Sequence, residues 1–440
     1  MTAILSDKRL SSGIQRCFEH LSETLQIPIN VSLWGTPTIH LRGASASDLS
    51  ITINDKGVVA SLLKGPSLEN LLRHYAAGNI VLEGSKDLIT LGETLREQIK
   101  KKDLKRLKKS LFLKNLWPFL FVKSTKSSLR HEYTEDETGF NQKKRVNKDF
   151  IQFHYDVSNE FYQLFLDPEM QYSCGNFKNW DESLEQAQQN KLEMICRKLR
   201  LKDGERFLDI GCGWGGLVCY AAQRYGVKAH GVTLSQAQYD FAQEKVKRLG
   251  LEDKVTLEIR DYITLEGTYD KIASIGMFEH IGVDNFPNYF KKVRSLLRDN
   301  GLFLNHAIAR RTKVNKKKSR RITPEKHLIL KYIFPGSELA PIGDSVDSME
   351  AYGFEIHDVE GWREHYALTC KHWCQRLSKN KDKAIKLIGK ERYLMWVTYL
   401  AGVSFGFHSG TILIYQTLGS KRAKAKGLSE LPPTRQDLYG

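Results

Sequence analysis

The chain has 440 residues, 41% hydrophobic and 27% charged, with a formal net charge of +16. That composition excludes collagen-like, mucin-like and wholly disordered proteins, and the length is ample for about two or three domains. Met1 to Leu10 lacks the apolar stretch of a secretory signal. The cysteines, Cys17, Cys174, Cys196, Cys212, Cys219, Cys370 and Cys374, are odd in number and scattered. They argue against a disulfide framework and for a reducing cytosol. Cys370-Lys371-His372-Trp373-Cys374 has no second cluster beside it, so no metal site is expected. The positive excess points to an anionic partner: nucleic acid, an acidic lipid surface or acidic small molecules.

Residues 1–94 read as a small α+β module. Leu49, Ile51 and Ile53 alternate with Ser50, Thr52 and Asn54. Asp55-Lys56-Gly57 then reads as a turn into Val58 to Leu63, which predicts a hairpin. Helical spacing follows in Leu68 to Tyr75, and Asn79 to Glu83 reads as a strand. Residues 95–148 form a basic helix and linker. Leu95, Ile99, Leu104, Leu107 and Leu111 fall on one helical face, with Lys100, Lys101, Lys102, Lys105, Arg106, Lys108 and Lys109 around it. Leu116 to Val122 adds Trp117, Phe119 and Phe121. This pattern fits a helix lying in a membrane interface, or a solvated connecting helix. Lys123 to Asp149 is polar and aperiodic, as a linker is.

From residue 149 to 440 strands and helices alternate. Strands are expected at Phe207–Gly211, Lys228–Thr233, Val255–Arg260, Lys271–Ile275 and Leu302–Ile308, and helices at Gly215–Tyr225, Ser235–Leu249 and Phe286–Leu297. Such βαβ alternation predicts a mostly parallel sheet covered on both faces. A second basic cluster, Arg310 to Arg321, holds eight Lys or Arg in twelve residues. A strand Phe354–Val359 and two helices follow. Tyr393 to Leu418 has no charged residue, but its polar residues and glycines favour a buried helix, a turn and a strand Thr411–Leu418 over a membrane span.

Phe207-Leu208-Asp209-Ile210-Gly211-Cys212-Gly213-Trp214-Gly215-Gly216 ends a strand and opens a helix. Glycines there permit a tight turn and close approach of a ligand. The G-x-G-x-x-G spacing alone suggests a dinucleotide. Asp209 argues otherwise: a carboxylate there repels pyrophosphate and suits the ammonium and sulfonium of S-adenosylmethionine. Thr233, Gln236 and Gln238 offer neutral hydrogen bonds after the next strand, and Asp261-Tyr262 can hold an adenine ring after the third.

With these residues in place, the chain resembles the cyclopropane fatty acid synthase family of S-adenosylmethionine-dependent methyltransferases, from about Phe150 to Ser420. The matching motifs are His154-Tyr155-Asp156-Val157-Ser158-Asn159-Glu160-Phe161-Tyr162, Met170-Gln171-Tyr172-Ser173-Cys174, the glycine loop, Gly276-Met277-Phe278-Glu279-His280-Ile281-Gly282, Lys331-Tyr332-Ile333-Phe334-Pro335-Gly336 and Phe405-Gly406-Phe407. The resemblance implies a Rossmann-like class I methyltransferase with a mostly parallel seven-stranded sheet, preceded by a small accessory domain. It implies cofactor contacts from Tyr172 and Ser173 (methionine part), Asp209, Gly211, Gly213 and Gly215 (loop), Thr233, Leu234 and Gln238 (ribose), and Asp261 and Tyr262 (adenine). It also implies a bicarbonate ion held by Cys174, Glu279, His306, the backbone of Ile308, and Tyr366. Val403 stands where many members carry a cysteine, so a mechanism needing that thiol fails here.

The implied function is transfer of a methylene group to the cis double bond of an unsaturated phospholipid, through a carbocation, with bicarbonate as base. His306 and Tyr366 would donate to its oxygens, while Glu279 accepts its O–H or orients His306. Without the resemblance, Glu279 reads as a helix cap, His306 as a core histidine and Tyr366 as packing. The implied partner is phospholipid in an anionic membrane surface, met peripherally from the cytoplasm through the two basic clusters. A homodimer is compatible with the family, and no nucleic acid is expected. The alternatives are lipid methyl branching, small-amine N-methylation, and a basic nucleic-acid-binding protein. The last rests on charge alone, without a zinc or RNA-recognition signature.

Overall fold

The computed structural model describes residues 6–45, 48–84, 87–127, 158–312, 323–423 and 431–439. Two compact units divide the chain. One comprises Met1–Glu132, Ile322–Tyr332 and Cys374–Ala401; the other comprises Tyr133–Arg321, Ile333–Trp373 and Gly402–Gly440. The expected boundaries at 94/95 and 148/149 are thus not unit boundaries, and two pieces of the expected catalytic stretch belong with the N-terminal segment. One reason is local: the Tyr332 hydroxyl donates to Glu69 at 2.9 Å, and Lys331 pairs with the same carboxylate at 3.4 Å.

The first unit begins with α1 (Asp7–Leu25), β1 (Ile29–Leu33), β2 (Ile39–Leu41) and β3 (Leu49–Ile53). α2 (Lys56–Lys64), α3 (Leu68–Ala76) and β4 (Ile80–Glu83) follow. The sheet order is β2-β1-β3-β4, with β1 and β3 parallel and the outer pairs antiparallel. The expected hairpin strand at Val58–Leu63 is instead helix α2. Asp55 caps it by accepting the Gly57 N–H at 2.7 Å, and the buried Val58 and Val59 share a helical stripe with the partly buried Leu62 and Leu63.

The expected continuous basic helix is also broken. α4 (Leu88–Gln98) ends at Ile99 and Lys100, whose backbones are extended; α5 (Lys101–Leu104) and α6 (Lys109–Leu116) follow, then a 3₁₀ turn over Trp117–Phe121. Leu95 and Ile99 pack on the core of this unit, so that part of the apolar face turns inward.

In the second unit, α7 (Asn159–Gln163) and α8 (Leu184–Leu199) precede the sheet. α8 was not expected from periodicity; Ser183 caps it, accepting from the Gln186 N–H at 3.2 Å. Then come β5 (Arg206–Ile210), α9 (Gly216–Tyr225), β6 (Lys228–Thr233), α10 (Gln236–Arg248), β7 (Val255–Ile259) and β8 (Tyr269–Ile275). α11 (Phe286–Leu296) leads into β9 (Leu297–Arg310). α12 (Pro324–Tyr332) falls in the first unit, and α13 (Ile342–Ala351) and β10 (Phe354–Gly361) in the second. α14 (Arg363–Lys379), α15 (Lys381–Ile388), α16 (Lys390–His408) and β11 (Ile412–Lys421) complete the series, one helix more than expected before the last strand.

The seven strands lie in the order β10-β11-β9-β8-β5-β6-β7. β5 to β9 pair in parallel; β11 is antiparallel to β9 and to β10. This is the mostly parallel sheet that was expected. α8 and α9 supply an apolar layer on it with Ile195, Leu199, Val218 and Ala222, and α11 supplies Phe286, Phe290 and Val293 to the other core. Strand order reverses between β5 and β8, which opens a crevice beyond their carboxyl ends, where open α/β sheets bind ligands. Among the described residues, no helix is long and apolar enough to cross a membrane.

Phe290 is fully buried against Phe278, Phe286, Tyr289 and Phe354. Phe290→Ala should destabilise the chain by about 3–5 kcal/mol, read as a lower urea midpoint with unchanged m-value. A shift below about 1 kcal/mol would mean that this aromatic layer is not a close-packed core.

Candidate active site

The crevice is a cavity with about 1100 Å³ of empty space, its open mouth included. Tyr172, Ser173, Asp209, Gly211, Gly213, Thr233, Leu234, Gln238, Asp261 and Tyr262 all line it. Gly215 lies behind this lining. Its φ of +77°, and an added Cβ that would stand 2.9 Å from the Ala242 Cβ, make it the residue that lets α9 start close against α10. Two of the loop's N–H groups do not face the cavity, because Gly211 and Cys212 both donate to the Val232 carbonyl at 3.0 Å.

Sequence reasoning missed Lys191 in this wall. It is buried and bonds the Gln171 carboxamide and, at 2.8 Å, the Ser173 hydroxyl. Burial lowers its pKa to about 8, against the opposing pull of Asp167, Cys174 and Asp209. A lysine sixteen residues from the nearest motif carries no local signal of this role; only folding brings it to β5. Asp209 in turn is pushed up to about 7 by burial, with Lys191 pulling it down. Its Oδ1 is buried without a hydrogen-bond partner. An unpartnered carboxylate oxygen in a cavity wall suits a cationic or hydroxylated ligand, and so fits the ammonium of S-adenosylmethionine.

The wall beyond β6 is tied together by its own side chains. The Thr233 hydroxyl donates to Gln238 Oε1 at 2.8 Å, leaving the Gln238 N–H groups as its remaining donors. Asp261 accepts the Ile263 N–H at 3.0 Å, so one of its oxygens is committed to a cap. Tyr262 lies buried edge-on to Tyr289, and burial raises its phenol.

The five residues assigned to bicarbonate do not line this cavity; Glu279 and Ile308 are bonded to each other, and His306 stands on the same strand as Ile308. Glu279 Oε1 accepts the Ile308 N–H at 2.6 Å, while its Oε2 is buried without a partner. Burial raises the Glu279 carboxyl from 4.5 to about 7. Since Glu279 takes the Ile308 N–H, that donor is not free for an anion in this structure. His306 is buried two residues before Ile308 on β9, its Nε2 unpartnered. Cys174 is buried with its thiol toward the carbonyls of Gly175 (3.3 Å) and Trp362 (3.7 Å), and burial raises its pKa well above the ordinary value. The thiol is thus a hydrogen-bond donor to backbone, not a ready nucleophile. Tyr366 packs on Phe407 at 4.5 Å and Trp373 at 5.9 Å between ring centroids. Two buried polar atoms with unused hydrogen-bonding capacity, Glu279 Oε2 and His306 Nε2, fit a small oxyanion in part; the committed Ile308 N–H does not.

A chain of side chains fixes the His306 tautomer. Lys198 has only protons to give, and it donates to Gln416 Oε1 at 2.8 Å. The Gln416 amide must therefore present its N–H to His306 Nδ1, 2.9 Å away. Nδ1 accepts, so the proton of the neutral ring sits on Nε2. Burial and the nearby Lys191 and Lys198 hold the ring's pKa well below its ordinary value. Trp362 stands edge-on to His306 at 5.3 Å, with its own Nε1–H buried and unpartnered. Aromatic rings continue from here: Tyr172 packs on Trp373 at 5.0 Å and on Tyr162 at 5.5 Å, and Tyr162 on Trp214 at 5.1 Å. Val403 is buried on α16. His154 to Val157 and residues 313–321 of the second basic cluster lie outside the described residues.

Nitrogen NMR of the resting protein should show His306 as the Nε2–H tautomer, and Gln416→Leu should abolish that preference. A Nδ1–H signal in the unsubstituted protein would break the relay. Glu279 also has a pH consequence. Its folded pKa is raised, so its contribution to stability is full below about pH 4.5 and is lost as pH rises through about 7. The loss is on the order of 3 kcal/mol. Glu279→Gln should flatten that part of the fall in urea stability between pH 5 and pH 8; equal slopes with and without the substitution would contradict the assignment.

The residues 142–417 match the family described as mycolic acid cyclopropane synthetase. A probable fatty acid methyltransferase of Pseudomonas putida is 36% identical over 95% of this chain and 98% of its own length. The cyclopropane-fatty-acyl-phospholipid synthase of Escherichia coli (strain K12) is 38% identical over 61% of this chain and 66% of its own. The structure of mycolic acid cyclopropane synthase CmaA1 complexed with SAH and CTAB superposes with a TM-score of 0.59 at 33% identity, covering 62% of this chain and 98% of that one. The parallel sheet, the cavity at its switch point and these likenesses agree: the chain belongs to the cyclopropane synthase family of S-adenosylmethionine-dependent methyltransferases.

Proposed function

We propose that this chain is a cyclopropane-fatty-acyl-phospholipid synthase, joining a methylene group to the cis double bond of an unsaturated acyl chain. The observation that carries the reading is that Glu279, bonded to Ile308 on β9, and His306 on the same strand each keep a buried unpartnered polar atom, with Trp362 edge-on to His306, in a methyltransferase fold. N-methylation of an amine does not need a dry site of this kind; deprotonation of a lipid cation does.

When bound, S-adenosylmethionine supplies a methyl carbon on a positively charged sulfur, a good leaving group. Asp209 would hold its ammonium, with Tyr172 and Ser173 on the methionine part. Lys191 keeps Ser173 in place and balances the buried carboxylates. Gly211, Gly213 and Gly215 shape the loop, Thr233, Leu234 and Gln238 would face the ribose, and Asp261 and Tyr262 would face the adenine. Transfer of that carbon to the alkene would break its bond to sulfur, form a carbon–carbon bond and leave a cation on the acyl chain. Tyr172, Trp214 and Trp373 offer ring faces to that charge and keep water from it.

Ring closure then needs a proton to leave the added carbon while its electron pair makes the second ring bond. Bicarbonate, when bound, supplies a base for that proton. His306 Nε2–H and Tyr366 would donate to its oxygens, Glu279 Oε2 would accept its O–H and Cys174 would stand beside it, while the Ile308 N–H stays with Glu279 Oε1. A carboxyl titrating near neutrality is well matched to exchanging a proton there. Peripheral binding of membrane phospholipid from the cytoplasmic side accompanies this reading.

A second reading is methyl branching without ring closure, favoured by the likeness to the probable fatty acid methyltransferase of Pseudomonas putida over nearly the whole of both chains. Ring and unsaturated branch are isomers, so mass alone does not separate them. Incubation with labelled S-adenosylmethionine, bicarbonate and unsaturated phospholipid should give upfield ring protons by NMR, surviving hydrogenation conditions that saturate alkenes. Vinylic signals with an added methyl would replace the first reading by the second, and no label in acyl chains would remove both. Glu279→Gln should lower the rate on the order of 10²–10⁴-fold while S-adenosylmethionine still binds. Near-normal turnover would take Glu279 out of the chemistry.

A further inference from the structure

Between Leu113 and Phe121 the chain turns four large apolar side chains outward while anchoring itself with others. Phe119 is fully buried in the core of the first unit, and Pro118 and Val122 are buried with it. Leu113 is 71% exposed, Trp117 43%, Leu120 51% and Phe121 56%. Leu113 stands four residues before Trp117, and Trp117 and Leu120 stand three apart, the repeat of a 3₁₀ turn, so these side chains fall along one side of α6 and the turn. Trp117 and Phe121 meet edge to face at 5.8 Å. The rings therefore pack on each other as a ridge fixed by its buried neighbours.

The charges around the ridge select its partner. Lys102, Lys105, Arg106, Lys108, Lys109, Lys114, Lys123 and Lys126 are all exposed, and Asp103 is the one acid between residues 102 and 126. A second copy of the chain docked symmetrically would set this cationic belt against itself. Nucleic acid would satisfy the cations but leave Leu113 and Leu120 in water. An anionic bilayer satisfies both: headgroups meet the cations while aromatic and aliphatic side chains enter the headgroup–acyl boundary.

We infer that Leu113, Trp117, Leu120 and Phe121, ringed by these lysines, form a wedge that docks the accessory unit in an anionic lipid surface. The inference rests on the lipid-substrate reading, and it relocates the docking element. The part that inserts is the 3₁₀ turn after α6, not a long basic helix.

The test uses the full chain, sedimented with vesicles of phosphatidylglycerol and phosphatidylcholine or of phosphatidylcholine alone. Binding should favour the anionic vesicles and weaken with salt. Trp117→Ser with Phe121→Ser should weaken it on the order of tenfold or more, and Trp117→Phe with Phe121→Trp should restore it. Lys108→Gln with Lys109→Gln should weaken it on the order of tenfold on anionic vesicles only. All these positions are exposed, and circular dichroism should be unchanged. Wild-type affinity in the serine variant would overturn the proposal. So would conversion of a dimer to a monomer by the serine substitutions, which would make the ridge a contact between copies. Sedimentation needs no turnover, so it stands even if the chain makes no cyclopropane. Activity on detergent-dispersed unsaturated lipid should be unaltered by the wedge variants; its absence from the unsubstituted protein would count against the catalytic reading alone.

Discussion

Burial of ionisable groups at the carboxyl ends of the central strands is the constraint on which the second unit depends. Asp209, Glu279, Lys191, Lys198 and His306 are all withdrawn from water. Each must find a partner, give up its charge, or wait for a ligand. Lys191 and Lys198 find partners. Glu279 moves toward its neutral form, and His306 stays neutral. What is left over is a short set of unpartnered atoms: Asp209 Oδ1, Glu279 Oε2 and His306 Nε2. In a close-packed interior such atoms are costly, about 1–3 kcal/mol each, and a fold retains them where bound groups complete them.

Most of the parallel sheet was legible because each strand is a short apolar run and each helix a periodic one. β6 is read to the residue, and β5, β7 and α10 within one or two positions at their ends. The cavity wall was legible through the family's motifs, which are local in sequence. One misreading arises because an apolar run of six residues does not reveal its period. Val58–Leu63 fits a strand by content, yet Asp55 caps it as a helix. The basic segment after Leu95 fits one helix by spacing, but the extended Ile99 and Lys100 break it.

Lys198, Gln416 and Trp362 could not be read at all. Lys198 and Gln416 stand 218 residues apart and meet only because β11 inserts beside β9. The cross-strand pair His306–Gln416 then places one amide against one imidazole. A tautomer is thus set by strand register, a property that no single motif carries. The same insertion explains why the late strand matters to a site built mainly from earlier ones.

A net charge of +16 draws the protein to anionic surfaces but opposes the approach of a cation. Within a Debye length of about 8 Å, however, a ligand in the cavity responds to the nearest groups and not to the distant surface. Asp209 is a carboxylate of that wall, pushed up to about 7 by burial while Lys191 pulls it down. A cation arriving beside it favours the ionised form, so its capture is coupled to release of a proton. Lys191 opposes that cation, but it also keeps Asp209 from being fully protonated beforehand. The buried lysine and the buried aspartate oppose each other's charge in this wall, and the aspartate is the group that answers a cation.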